Sequence, residues 1–290
     1  MNRLICTLLL CLCPVLLWAQ SVLYVASGNG NYSSLYRVDP TNATSTLIGS
    51  ILVGGVQVSV TALAAHPTTG QLYGVTGSEF TPSRQLFIID PVTAATTVIG
   101  TIGTVRTENA SDISFAANGT LYGWSTRGGP LMTIGLGDAL RTAIGSATNG
   151  TQGNGLAFTP DGTLYLAGPT APGNLYTVDI GTGALTVVAA LSNVPVDFGT
   201  SVNAMASDPN GVLYAVGRSS GAQLVTIDRV TGAMTTVGVL SFGEADALAF
   251  VVPVPEPSTW LMLGTGGALL WLRFRRRSGN PAVHPGSGRG

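Results

Sequence analysis

The chain has 290 residues and a formal net charge of −1, and charged residues make up only 9% of it. Its 13 basic residues, every one an arginine, stand against 14 acids, so it lacks the basic surplus of a nucleic-acid-binding protein. A 45% hydrophobic content excludes a disordered chain, and the 39 glycines keep no three-residue period, which excludes collagen.

The N-terminus reads Met1-Asn2-Arg3, runs apolar from Leu4 to Trp18 and closes on Ala19-Gln20-Ser21. A short positive region, an apolar stretch and a small residue at the break predict a signal peptide over 1–19, removed by signal peptidase after Ala19. Cys6, Cys11 and Cys13 all lie inside it. The mature chain is then cysteine-free, which excludes disulfides and thiol chemistry.

Residues 21–252 repeat themselves. A Leu-Tyr pair recurs at Leu23-Tyr24, Leu72-Tyr73, Leu121-Tyr122, Leu164-Tyr165 and Leu213-Tyr214, with Tyr-to-Tyr steps of 49, 49, 43 and 49 residues. Each pair is followed by an apolar run starting at Leu35, Leu86, Leu131, Leu175 or Leu224. A Thr/Val/Ile-rich run comes next, at 45–49, 96–100, 141–145, 185–189 and 235–239. A fourth run, of the type Gly155-Leu156-Ala157-Phe158, precedes the pair; its copies start at Ala62, Ile113, Gly155, Ala204 and Ala247. The first pair has no such run before it, and the last run has no pair after it.

These residue types favour strands, and four strands per 43–49 residues is the size of a propeller blade. A solenoid would have shorter repeats and no use for complementary end strands. The spacing predicts an all-β fold over 20–253: a five-bladed β-propeller with blades of four antiparallel strands, closed by N- and C-terminal strands that remove each other's free edges.

Most acids have a place in the turns. Asp39, Asp90, Asp179 and Asp228 end the third strand of a blade; Asp161, Asp208, Asn118 and Thr69-Gly70 serve the turn between the first two strands. The irregular connections, 27–34, 77–84, 126–130, 168–173 and 217–221, fall on the opposite face with the inter-blade links, where binding usually resides. Just before the innermost strand each repeat carries a polar residue: Thr61, Asp112, Asn154, Asn203 and Asp246. In a closed ring these five surround the channel mouth, and their oxygens suit Ca²⁺; the other reading is that they cap backbone amides between blades.

Nothing else points to catalysis. His66, the sole histidine of 20–253, lies in a turn, and no Gly-x-Ser-x-Gly elbow occurs. The expected domain carries 7 Arg against 13 acids, net −6, which disfavours polyanions.

The runs Leu156-Ala157-Phe158-Thr159-Pro160-Asp161-Gly162 and Leu175-Tyr176-Thr177-Val178-Asp179 resemble those of secreted propellers of the YVTN/NHL/SMP-30-like group. The resemblance implies a propeller ectodomain, and its hydrolase branch implies a divalent metal in the channel.

The C-terminus begins with Pro255-Glu256-Pro257, continues as an apolar span over 259–272 flanked by Trp260 and Trp271, and ends in Arg273, Arg275, Arg276 and Arg277. Apolar span, aromatic ends and trailing arginines predict a transmembrane helix with its Arg end cytoplasmic. The segment 254–277 resembles the PEP-CTERM sorting signal of Gram-negative bacteria that make exopolysaccharide. The resemblance implies transient inner-membrane anchoring, recognition by an exosortase, and release or transfer to the cell surface. A Gly/Pro-rich tail, 278–290, is expected to be disordered. The expected function is that of a non-catalytic exported propeller binding exopolysaccharide or a surface protein. The alternative is a metal-dependent lactonase or lyase using the channel-mouth residues.

Overall fold

The computed structural model describes residues 20–28, 32–78, 81–105, 108–125, 129–145, 155–168, 173–199, 201–217 and 221–253. The signal peptide, Asn154, the sorting segment and the C-terminal tail lie outside them.

Alternation of apolar and small polar residues, broken by Gly, Pro and Asp, yields 22 short strands among the described residues. The first blade contributes β1 (Val22–Ser27), β2 (Ser34–Val38) and β3 (Ser45–Ser50). A hairpin of β4 (Leu52–Val53) and β5 (Val56–Gln57) follows. The second blade is β6 (Val60–Ala65), β7 (Leu72–Thr76), β8 (Gln85–Ile89) and β9 (Thr96–Thr101). The third is β10 (Ala110–Phe115), β11 (Leu121–Ser125), β12 (Leu131–Ile134) and β13 (Arg141–Ile144). The fourth is β14 (Gly155–Phe158), β15 (Leu164–Ala167), β16 (Asn174–Val178) and β17 (Leu185–Ala190). The fifth is β18 (Val202–Ser207), β19 (Leu213–Gly217), β20 (Gln223–Ile227) and β21 (Met234–Val239), and β22 (Ala245–Val251) ends the domain.

Each sheet is an antiparallel meander, and β22 joins the first as its inner strand, giving the order β22-β1-β2-β3. The closing register pairs Leu23 with Phe250 and Val25 with Leu248. Inner strands β22, β6, β10, β14 and β18 neighbour one another in a closed circuit. The five-bladed, terminus-closed propeller read from the repeat is therefore the observed fold. The β4–β5 hairpin was not foreseen, although Val53-Gly54-Gly55-Val56 carries its signal: both glycines take positive φ, at 61° and 82°, as a two-residue hairpin turn requires.

The core divides into five clusters, each built from the facing sides of two adjacent blades. Leu35 shares a cluster with Phe87 and Ile89, Val75 with Ile113 and Met132, and Trp124 with Leu156 and Leu166. Leu175 shares one with Met205 and Leu213, and Leu224 with Leu23 and Leu248 across the closure. Because every blade lends both faces, none can bury its apolar side chains alone.

A second contact repeats at the rim. The turn before each fourth strand closes an N–H(i+4)→O=C(i) bond, as from Ala43 to Asp39, Ala94 to Asp90, Ala139 to Gly135, Gly183 to Asp179 and Gly232 to Asp228. The fifth residue of each takes positive φ, between 57° and 72°. It is pressed against a small residue in the fourth strand of the preceding blade: Ala94 on Gly49, Ala139 on Gly100, and Ala43 on Gly238 across the closure. A methyl group at Gly100 would stand 2.8 Å from the Asp138 carbonyl oxygen, whereas one at Gly137 would meet nothing within 4 Å. Gly100→Ala is expected to lower unfolding stability by about 1–3 kcal/mol in a urea titration, with Gly137→Ala within about 0.5 kcal/mol of the native chain.

The turn aspartates do what their spacing implied. Asp90 Oδ1 accepts the amides of Val92 and Thr93 at 2.7 and 3.0 Å, and Asp228 Oδ1 those of Val230 and Thr231 at 2.9 and 2.7 Å. The Thr41 hydroxyl and amide hold the Asp39 carboxyl below its ordinary range, and the Thr182 hydroxyl and amide do so for Asp179. Amide donors act likewise on Asp90 and Asp228. A lowered folded-state value means that each contribution is complete above the unfolded value of about 4 and is lost as pH falls through the folded one. The urea midpoint is expected to fall on acidification below about pH 4, and less steeply for an Asp179→Asn/Asp228→Asn chain.

Candidate functional site

Of the five residues expected at the channel mouth, Thr61, Asn203 and Asp246 share one structural position. Each is the extra residue of a β-bulge near the start of an inner strand, where the ladder jumps from Val60 to Ala62, from Val202 to Ala204 and from Ala245 to Ala247. They stand inside the strands, not ahead of them. The Asn203 side chain donates to the Ala245 carbonyl at 2.9 Å and to the Asp246 carboxylate. Gly28 leaves room for that carboxylate, since a methyl group there would overlap it. Asn154 lies outside the described residues.

Asp112 occupies a different position. In the third blade the ladder jumps from Ala110 to Asp112, so Ser111 is the bulge residue and Asp112 pairs with Trp124. Its counterparts in the other blades are Ala62, Gly155, Ala204 and Ala247. The sequence alignment that began this run at Ile113 is one residue late. Matching Ser114-Phe115 to Ala157-Phe158 and Ala249-Phe250 would have shown it.

The Asp112 side chain is fully buried. Its Oδ1 accepts the Ile113 amide at 2.9 Å, and its Oδ2 accepts the amides of Leu156 at 2.8 Å and Met205 at 3.2 Å. One carboxyl thus links the inner strands of the third, fourth and fifth blades. Two residues on, Ser114 Oγ accepts the Phe158 amide at 2.9 Å, again bridging to β14. Burial pushes the Asp112 carboxyl well above the usual carboxylate range, against the downward pull of its three amide donors.

Beyond this plug, toward the short-turn face, the axis holds a cavity of about 100 Å³ lined by residues of all five inner strands, among them Leu63, Phe115, Phe158, Ser207 and Phe250. Three inner-strand phenylalanines pack on tyrosines of the preceding blade: Phe115 on Tyr73, Phe158 on Tyr122 and Phe250 on Tyr214, with centroids 5.1–5.3 Å apart. His66 also belongs to the scaffold. Its Nδ1 accepts the amides of Thr68 and Thr69, both at 3.3 Å, in the role Asp208 fills in the fifth blade, and its ring packs edge-on to Phe115.

Ca²⁺ requires several oxygen lone pairs turned toward it. Those of Asp112 are turned toward amide hydrogens, and Asn203 uses its amide as a donor. These groups do not form a Ca²⁺ cage as they stand, and among the described residues no three His, Cys, Asp or Glu are grouped to hold a metal ion.

The irregular-loop face contains a feature that spacing did not disclose. Around Thr76-Gly77, at the junction of the second and third blades, Thr61 Oγ1, Arg84 Nε and Asn109 Oδ1 are buried without a hydrogen-bond partner. Arg84 donates its amide to the Gly77 carbonyl, and the Asn109 side chain reaches the Thr76 carbonyl. Thr61 approaches the same segment, its Cγ2 lying 3.3 Å from where a methyl group on Gly77 would stand.

A raised folded-state carboxyl favours the protonated form, so its contribution is complete below the unfolded value of about 4 and is lost as pH rises through the folded one. Asp112→Asn is expected to gain on the native chain as pH increases from 4, by at most about 1.4 kcal/mol per pH unit in paired urea titrations. A difference independent of pH would show that Asp112 is ionised in the fold.

Comparison with known proteins agrees with this architecture. Residues 121–247 match a family described as a repeat of unknown function, and residues 253–277 match the PEP-CTERM protein-sorting motif. No curated protein matches the chain. Among solved structures, a chain of a nidogen/laminin complex is 11% identical, with 81% of this chain and 99% of that one covered, at a TM-score of 0.52. A Bacteroides caccae protein of unknown function is 12% identical, covering 81% and 100%, at 0.50. A Bacteroides fragilis chain proposed to be a 6-phosphogluconolactonase is 13% identical, covering 80% and 98%, at 0.47. At such identities the likeness extends to the fold alone.

Proposed function

We propose that this protein is a non-catalytic β-propeller processed by exosortase and delivered to the surface or matrix of a Gram-negative cell, where it binds exopolysaccharide or a surface protein through its irregular-loop face. The observation that carries the reading is the PEP-CTERM match at 253–277, which indicates export and transient membrane sorting and begins two residues after β22 ends. A closed scaffold placed directly before a sorting signal is suited to displaying a surface.

The choice of face rests on the polar groups. On the short-turn face the aspartates are committed to their own turns, and Asp161 also pairs with Arg229 at 2.8 Å. On the opposite face Thr61 Oγ1, Arg84 Nε and Asn109 Oδ1 have no partner within the protein. The three atoms are buried in this conformation, so a hydroxyl, an N–H donor and an amide oxygen reach the hydroxyl groups of a saccharide only where the chain around Thr76-Gly77 opens. On the axis, the Asp112 carboxyl is committed to the amides of Ile113, Leu156 and Met205.

Two outcomes test the proposal. A Pro255→Ala/Glu256→Ala/Pro257→Ala chain is expected to accumulate unprocessed in the inner membrane, and normal processing would disconnect the segment from sorting. The purified protein is expected to bind exopolysaccharide or surface-protein fractions of its producing cells, with Arg84→Ala weakening binding about tenfold. Binding to neither fraction sinks the ligand reading, and Ca²⁺-dependent turnover of a lactone would favour a metal-dependent hydrolase or lyase instead.

A further inference from the structure

The five inner strands present equivalent backbone groups to the axis. Ladder pairing turns the N–H and C=O groups of Ala62, Asp112, Gly155, Ala204 and Ala247 toward the second strand of each blade. Those of Leu63, Ile113, Leu156, Met205 and Leu248, one residue on, turn inward. The turn bonds show the same phase, since His66, Ala116, Thr159 and Asp208 each donate outward to the start of the second strand. The axis is therefore ringed by five amide donors at one level, and Asp112 takes three of them, at 2.9, 2.8 and 3.2 Å.

Among the described residues no other side chain supplies an acceptor at this level, where the remaining blades carry alanine or glycine. At Gly155 a methyl group would press on Val202 Cγ1 and Met205 Cβ at 2.8 and 2.9 Å, so the fourth blade is stripped of a side chain beside the carboxyl. Buried amides left without an acceptor are costly, which gives the single out-of-pattern residue a physical task.

We infer that the ring of inner-strand amides is a carboxyl-binding site and that Asp112 is its built-in ligand. The site takes a planar group with two oxygens, one facing the Ile113 amide and the other shared by Leu156 and Met205. Asp112→Ala leaves a void of carboxyl size against the same donors, and alanine suits this backbone position because three other blades carry it. The ligand class is a one- or two-carbon carboxylic acid, formate before acetate.

The experiment is chemical rescue in the purified protein, read by urea unfolding. Trp124, fully buried and the cross-strand partner of Asp112, supplies the fluorescence signal. In chloride, Asp112→Ala is expected to unfold at lower urea than the native chain. Formate at ten times its Kd is expected to raise the variant's folding equilibrium constant about elevenfold over chloride of equal ionic strength, with the native chain and Asp112→Asn unmoved. An equal formate response in native and variant chains would overturn the inference, as would a variant as stable as the native chain in chloride. If Asp112→Ala does not fold in chloride, recovery on refolding into formate supports the site. Failure to recover there, with Asp112→Ser also indifferent to formate, overturns it.

Discussion

Everything in this propeller depends on the antiparallel pairing of β22 with β1. A blade buries its apolar residues only against its neighbours, so an open row of five would leave two sheet faces in water and two inner edges unpaired. Leu23, Val25, Leu248 and Phe250 supply the ladder and part of the core between the fifth and first blades. The closure also completes the rim contacts, with Ala43 of the first blade seated on Gly238 of the fifth.

Against this near-symmetric background the departures stand out. Outer strands keep a strict design: an exposed threonine at position two, at Thr46, Thr97, Thr142, Thr186 and Thr235, then a bulged Ile48, Ile99, Val188 or Val237 turned toward the core. Bulges and polar β-branched residues are common protections for a free edge. The inner strand of the third blade departs from the pattern at Asp112 and Ser114, and Asp112 sits where five strands converge. A carboxyl there ties three blades through backbone amides. It also puts hydrogen-bond donors, not lone pairs, around the place where the family resemblance implied a metal.

Much of this architecture could be read from the chain. The Leu-Tyr spacing set the blade number, the missing and surplus runs set the closure, and Asp followed by Thr or Gly marked the turns. Other features could not be read, for identifiable reasons. Asp112 was grouped with Asp246 because both are acids near the start of an inner strand, yet a bulge of one residue reverses which way a side chain points. The sequence places His66 in a turn but does not show its work as an amide acceptor, which depends on the local turn geometry. Thr61, Arg84 and Asn109 occupy three different positions of the repeat, so no periodicity could connect them.

The sequence by itself determined the number of blades, their strand order and the address carried at 254–277, because these follow from period, turn chemistry and a contiguous motif. The tertiary structure alone decided what the axis contains and which polar groups are left without a partner between the second and third blades. Those outcomes arise where strands distant in the chain converge, and there a single bulge or a single absent side chain decides which atoms touch.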